Sequence, residues 1–130
     1  MENLVIADTD VIIDFFSGAE PSAGQVASLV ANQSLALTAI SVFELYAGVS
    51  GLRRLGQIDA IVSLARVFPF GTEDALAAAS VYNAMKKSGN LIGAQDILIA
   101  GVCISRKLPL LTRNKGHFSR IPGLHLSKML

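Results

Sequence analysis

Apolar positions fall along this chain in two rhythms. Short apolar runs of strand length alternate with longer stretches in which apolar residues recur at helical spacing. Residues 3–7 (NLVIA) have the pattern of a strand buried on both faces. Asp8-Thr9-Asp10 then offers capping side chains for a helix through residue 16, which Ser17-Gly18 would stop. Pro21 suits the first turn of a second helix over 21–31. A strand at 35–38 leads into helices at 41–49 and 53–65, and a third strand at 67–70 closes on Pro69 and Gly71. Thr72-Glu73-Asp74 begins a long Ala-rich helix to residue 87, ended by Ser88-Gly89-Asn90. A helix at 95–107, a strand at 110–112 and a short last strand at 124–126 complete the reading. Strands that alternate with helices predict an α/β fold with a mostly parallel sheet and helices on both faces. Ligands of such sheets sit beyond the carboxyl ends of the strands, the edge where Asp8 and Arg113-Asn114 are expected.

Composition narrows the class. The 130 residues fit one domain, 1–130, with no internal repeat or linker. Hydrophobic residues make up 52% and charged residues 16%, an apolar balance that points to burial of some surface against a partner. The longest apolar run, ILIAGVCI from residue 97, is far shorter than the ~20 residues of a membrane span. MENLVIAD lacks the basic start of a signal peptide, and Cys103 is the only cysteine. Both observations predict a cytoplasmic protein, with Cys103 as a small core residue.

Charge is distributed unevenly. Residues 1–52 carry six acids and no Lys or Arg, whereas 53–130 carry all eleven bases and four acids. Either the two halves pair across the fold, or a carboxylate site is rimmed by bases that attract a polyanion.

Three acids stand apart from other charges. Glu44 is the only charged residue between Glu20 and Arg53, Asp96 the only one between Lys87 and Arg106, and Asp8 directly follows a buried-type strand. Each has a purely structural alternative. Asp8 or Asp10 can cap the next helix, Asp96 can favour a helix dipole, and Glu44 can face water. An ionised carboxylate in apolar surroundings is costly unless something compensates it. If the three converge, no base in the first half can neutralise them, and a divalent cation becomes the natural partner. Oxygen-only ligands suit Mg²⁺ or Mn²⁺, and no Cys/His cluster suggests zinc. Phosphodiester hydrolysis by metal-activated water is the chemistry such a site supports.

The motifs resemble those of PIN-domain nucleases, and among them the VapC-type toxins of toxin–antitoxin pairs. LVIADTDVIIDFF is similar to the opening strand and helix, with Asp8 as first acid. AISVFELYAGV is similar to the second motif, with Ser41 three residues before Glu44. GAQDILIAGVCISRKLPLLTRNKGHFSRIPGLHL is similar to the C-terminal signature, with Asp96 as third acid. The resemblance implies a three-layer fold with a five-stranded, mostly parallel sheet and metal-dependent cleavage of RNA. It also implies a homodimer and an inhibiting VapB-type antitoxin. Within it Thr112 is a supporting residue of the metal site, with Thr9, Asp10 and Ser41 beside the acids. Asn114 stands where a fourth acid is common, and Asp10 where many relatives have Asn. Arg113, Lys115 and His117 are candidate contacts for RNA or antitoxin, with solvated loop charges as the alternative; a metal-activated water is preferred to His117 as general base. Phe43, Tyr46 and Phe118 are read as core or interface.

Other readings remain at this point. ADTDVI also fits the start of aspartate-nucleophile phosphatases, but no acid follows Asp96. A phospho-receiver domain would need an acceptor Asp after the third strand, where Gly71-Thr72 stands. A PIN domain kept only as a non-catalytic protein-binding module is the last alternative, against which the intact triad of acids argues.

Overall fold

The computed structural model describes residues 3–128. The elements run β1 (Val5–Ala7), α1 (Thr9–Ser17), α2 (Ser22–Ala31), β2 (Leu35–Thr38), α3 (Ala39–Ala47), α4 (Leu52–Leu64) and β3 (Arg66–Phe68). They continue with α5 (Thr72–Ser88), α6 (Ala94–Arg106), β4 (Leu110–Leu111) and α7 (Lys115–Phe118). The four strands form a wholly parallel sheet in the order β3-β2-β1-β4.

Alternate side chains of each strand enter different cores, as the pleat requires. Ile6, Ala36 and Leu110 join the core that α5, α6 and Phe118 cover. Ala7, Leu35, Leu37 and Leu111 join the core that α1, α2, α3 and α4 cover. Both faces of β1, β2 and β4 are therefore covered, which is why those strands read as apolar runs, whereas β3 at the sheet edge leaves Arg66 and Val67 exposed. Cys103 is buried in the first core, where burial pushes its thiol up to about 12. Helices α5 and α6 pack closely enough that a Cβ on Gly101 would lie 2.7 Å from Ala78 Cβ and 2.8 Å from the Asp74 carbonyl oxygen.

The expected fifth strand at 124–126 is reduced to a single parallel bridge, Leu110 with Leu126. The segment approaches β4, but Pro122 and Gly123, the latter at φ 82°, turn the chain just before it and leave little length to pair. The third strand lies at Arg66–Phe68 rather than 67–70, because Pro69 has no N–H to continue the ladder. Helix α3 begins at Ala39, capped by the Thr38 hydroxyl, which accepts from the Ser41 N–H at 3.1 Å. The short α7 was not expected. Phe118 is fully buried, whereas Phe43 and Tyr46 are exposed. Among the described residues no helix is long and apolar enough to cross a membrane.

With all strands parallel, their carboxyl ends share one edge. The chain leaves β1 toward β2 on one side, and β4 returns on the other, so β1 lies at the point where the strand order reverses. Asp8, Thr38 and Thr112 all sit at that edge, at or just beyond the ends of β1, β2 and β4.

Candidate active site

Asp8 is the first residue beyond β1 and the N-cap of α1. Its backbone N–H is held by the Leu111 carbonyl oxygen at 2.9 Å, which extends the ladder between β1 and β4. Oδ1 accepts from the Thr9 N–H at 2.9 Å. Oδ2 accepts from the Thr112 hydroxyl at 2.9 Å, and that hydroxyl oxygen in turn accepts from the Asn114 N–H at 3.0 Å. The carboxylate is buried, and among the described residues no cation pairs with it. Burial, with a smaller contribution from the Asp96 charge, pushes its pKa up to about 6 despite both donors.

Asp96 lies in the first turn of α6. Burial raises its pKa and Asp10 adds to that rise, while His117 opposes it. His117 Nδ1 is 3.7 Å from Asp96 Oδ2 and 2.9 Å from Asn114 Nδ2, so α7 leans on the third acid. Glu44, half-buried on α3, reaches the site through Thr9, whose hydroxyl oxygen is 2.9 Å from Glu44 Oε1 and 2.8 Å from Ser41 Oγ.

The structure thus brings Asp8, Asp96 and Asp10 within range of one another's charges and ties Glu44 to the residue after Asp8. It does not close them into a cage. Among the described residues no group of three or more His, Cys, Asp or Glu side chains is assembled closely enough to hold a metal ion. Repulsion among carboxylates without a counter-charge opposes such closure. The donor set nevertheless fits a hard divalent cation. Asp8 and Asp96 offer carboxylate oxygens whose burial disfavours their charged form, and Mg²⁺ is commonly held by one or two carboxylates with several waters retained.

The basic residues are placed unequally. Arg113 donates to Asp14 Oδ1 at 3.0 Å and lies 3.9 Å from Asp10 Oδ2. The two halves of the chain therefore pair across the fold here, although Arg113 also rims the site. Lys115 is exposed and lines a cavity of about 440 Å³ together with Asp14, Thr112 and Arg113. Asp14 escaped the sequence reading. The signal was its spacing: Asp10 and Asp14 share a helix face at i, i+4, an unfavourable pairing that calls for a cation.

The chain matches the family model described as PIN domain over residues 5–124. It is 28% identical over 122 residues to the ribonuclease VapC1 of Methanocaldococcus jannaschii, covering 92% of this chain and 82% of that one. Its fold resembles the VapBC2 structure from Rickettsia felis bound to a DNA fragment from its promoter, with TM-score 0.84, 23% identity and coverage of 95% and 97%. A toxin–antitoxin complex from Klebsiella pneumoniae is also similar, with TM-score 0.76, 21% identity and coverage of 92% and 94%.

Proposed function

This chain belongs to the PIN-domain family, and on that basis we propose that it is a magnesium-dependent endoribonuclease, the toxin of a toxin–antitoxin pair. The observation that carries the reading is Asp8: a buried carboxylate without a cationic partner among the described residues, beside Asp96, at the strand-order reversal of a parallel sheet. A relative named as a ribonuclease that matches most of the chain supports the choice of RNA. Family membership sets aside the phosphatase and receiver readings.

In this reading Asp8 and Asp96 hold the cation, with Glu44 acting directly or through water and the Asn114 amide oxygen as a neutral fourth group. Mn²⁺ substitutes for Mg²⁺. When bound, the cation supplies Lewis-acid polarisation of the phosphoryl group and activates water for attack. The chain's own residues do the positioning. Two fixed donors, the Thr9 N–H and the Thr112 hydroxyl, orient both oxygens of Asp8. His117 on α7, in contact with the Asn114 amide, braces Asp96. Lys115 and Arg113 at the rim meet the phosphates of the incoming strand.

Two partners complete the proposal. A homodimer would cover the apolar groove of about 480 Å³ between α5 and α6, lined by Phe70, Ala78, Tyr82, Leu91 and Leu98. A VapB-type antitoxin would present an Arg to the acids and apolar side chains to the small cleft of about 70 Å³ that Ile13, Phe16, Leu45 and Val49 form beside Glu44. Both are expected in the cytoplasm, with the 130 residues acting as one domain.

Incubation of the purified protein with an RNA pool tests the reading. Cleavage should appear with Mg²⁺ or Mn²⁺, vanish with chelator, and vanish in folded Asp8→Ala, Glu44→Ala and Asp96→Ala variants. A well-folded Asp96→Ala variant that cleaves at the native rate overturns it.

A further inference from the structure

We propose that Thr9 is a positioning residue that fixes the Asp8 and Glu44 carboxylates relative to each other, an inference that rests on the ribonuclease reading. Thr9 touches both acids with different atoms. Its backbone N–H donates to Asp8 Oδ1 at 2.9 Å, and its hydroxyl lies 2.9 Å from Glu44 Oε1.

The proton positions follow from counting donors. The Thr9 hydroxyl has one proton and two oxygen neighbours, Glu44 Oε1 at 2.9 Å and Ser41 Oγ at 2.8 Å. An ionised carboxylate only accepts, so the Thr9 proton goes to Glu44. The Ser41 hydroxyl is fully buried, and it meets its own need by donating to the Thr9 oxygen. The chain of donors therefore runs Ser41 to Thr9 to Glu44. It is anchored at its far end by the Thr38 hydroxyl, which holds the Ser41 N–H at 3.1 Å and is itself fully buried.

The parallel register explains the meeting. Val5 pairs with Leu35 and Ile6 with Ala36, so β1 and β2 end side by side and release α1 and α3 into the same crevice. Thr9 opens α1, Thr38 caps α3, and Glu44 lies on the α3 turn that faces back toward Thr9. Thr9 is 8% exposed, so water cannot readily replace its hydroxyl. Without that hydroxyl, Glu44 loses its tether to the element that carries Asp8, and the long side chain regains rotamer freedom.

Thr9→Val keeps the shape and the N–H to Asp8 while removing the hydroxyl. Loss of such an outer support is expected to weaken Mn²⁺ binding and kcat by about 10- to 100-fold. KM for RNA should stay within about twofold of native, because the strand's phosphates are met elsewhere. Thr9→Ser should recover most of both. A merely structural role is separated by the double variant Thr9→Val/Ser41→Ala, which removes the orphaned Ser41 hydroxyl. It should regain stability toward urea without regaining rate or Mn²⁺ affinity. The measurements are calorimetric titration of Mn²⁺ into RNA-free protein, steady-state cleavage of an RNA oligonucleotide and urea unfolding. Native Mn²⁺ affinity in Thr9→Val, or recovery of rate in the double variant, overturns the role given to Thr9. If the native protein binds Mn²⁺ and cleaves no RNA, the ribonuclease reading fails alone and the titration still decides Thr9. A native protein that does neither overturns both.

Discussion

Thr112 and Asp8 are 104 positions apart in the chain, yet the Thr112 hydroxyl donates to Asp8 Oδ2 across 2.9 Å. The contact exists because β4 pairs with β1 in parallel, Ile6 with Leu110 and Ala7 with Leu111, so the next residues of both strands also meet. Thr112 and the Thr9 N–H are the groups that favour the charged form of Asp8, and burial still outweighs them.

That imbalance makes a prediction about pH. Asp8 has a folded pKa of about 6 against an ordinary value of 3.8. Between those values the folded state binds the proton that the unfolded state has released, so stability falls as pH rises through this window. The displacement corresponds to roughly 3 kcal/mol as an upper limit above pH ~6. Asp8→Asn should therefore stabilise the metal-free protein by about 1–2 kcal/mol at pH ~8, and the gain should disappear by pH ~4. Urea unfolding across that range checks it. Adding Mn²⁺ should reverse the order at high pH, because only the native carboxylate gains from binding a cation.

A second prediction concerns the contact that holds α5 against α6. Gly101→Ala would place a methyl group 2.7 Å from Ala78 Cβ and 2.8 Å from backbone oxygen of Asp74. Neither neighbour is the end of a flexible side chain, so the helices must separate, at a cost of about 1–3 kcal/mol. Gly56→Ala is the control. It lies within α4 with nothing in 4 Å of the added Cβ, and should stabilise by about 0.5–1 kcal/mol through helix propensity. Opposite shifts in the urea midpoint are expected.

Much of this architecture is legible without coordinates, for reasons the two cores make plain. Strands such as LALT at Leu35–Thr38 are buried on both faces, so their apolar runs survive in the sequence as uninterrupted signals. Helix ends at Gly18 and Gly89 are marked by the left-handed backbone that glycine tolerates, φ 74° and 75°. The triplet at 124–126 reads as a strand yet forms one bridge, because a triplet carries no information about how many residues find a partner. The site was legible as isolated acids, whose spacing in the chain says nothing about who neutralises them. The pairing of Arg113 with Asp14, 99 positions away, is a consequence of tertiary structure alone. So is the Thr9 hydroxyl between Ser41 and Glu44, since any threonine after a strand looks alike in sequence.

The pairing of Arg113 yields a third prediction. Its side chain is 55% exposed, so the ion pair with Asp14 is screened and worth at most about 1 kcal/mol to the fold. Arg113→Ala should accordingly leave stability nearly unchanged. Lys115 has no such carboxylate in contact among the described residues and is the freer phosphate contact. Lys115→Ala should lower the salt slope of single-stranded RNA binding by about 0.7, and Arg113→Ala by less. Fluorescence anisotropy at several salt concentrations reads both slopes. A larger loss for Arg113 would mean that RNA draws it away from Asp14.

The last prediction turns on Asn114. Its N–H is on the Thr112 oxygen at 3.0 Å and its amide nitrogen is 2.9 Å from His117 Nδ1, so it joins the support of Asp8 to the support of Asp96. The amide adds no negative charge, and the Asp96 charge already adds to the cost of ionising Asp8. Asn114→Asp is nearly isosteric and brings one more anion to the same place. In the metal-free protein it should be destabilising at pH ~8, because repulsion among carboxylates grows. With Mn²⁺ the sign reverses. The added carboxylate helps to offset dehydration of the cation, and the affinity of the RNA-free protein should rise about tenfold. The new anion also competes with Asp96 for His117, so His117→Gln in the same background should leave most of that gain in place. Calorimetric titration of the native protein and both variants distinguishes the outcomes. Unchanged Mn²⁺ affinity in Asn114→Asp would place residue 114 outside the reach of the metal and leave it as a brace for the loop after β4.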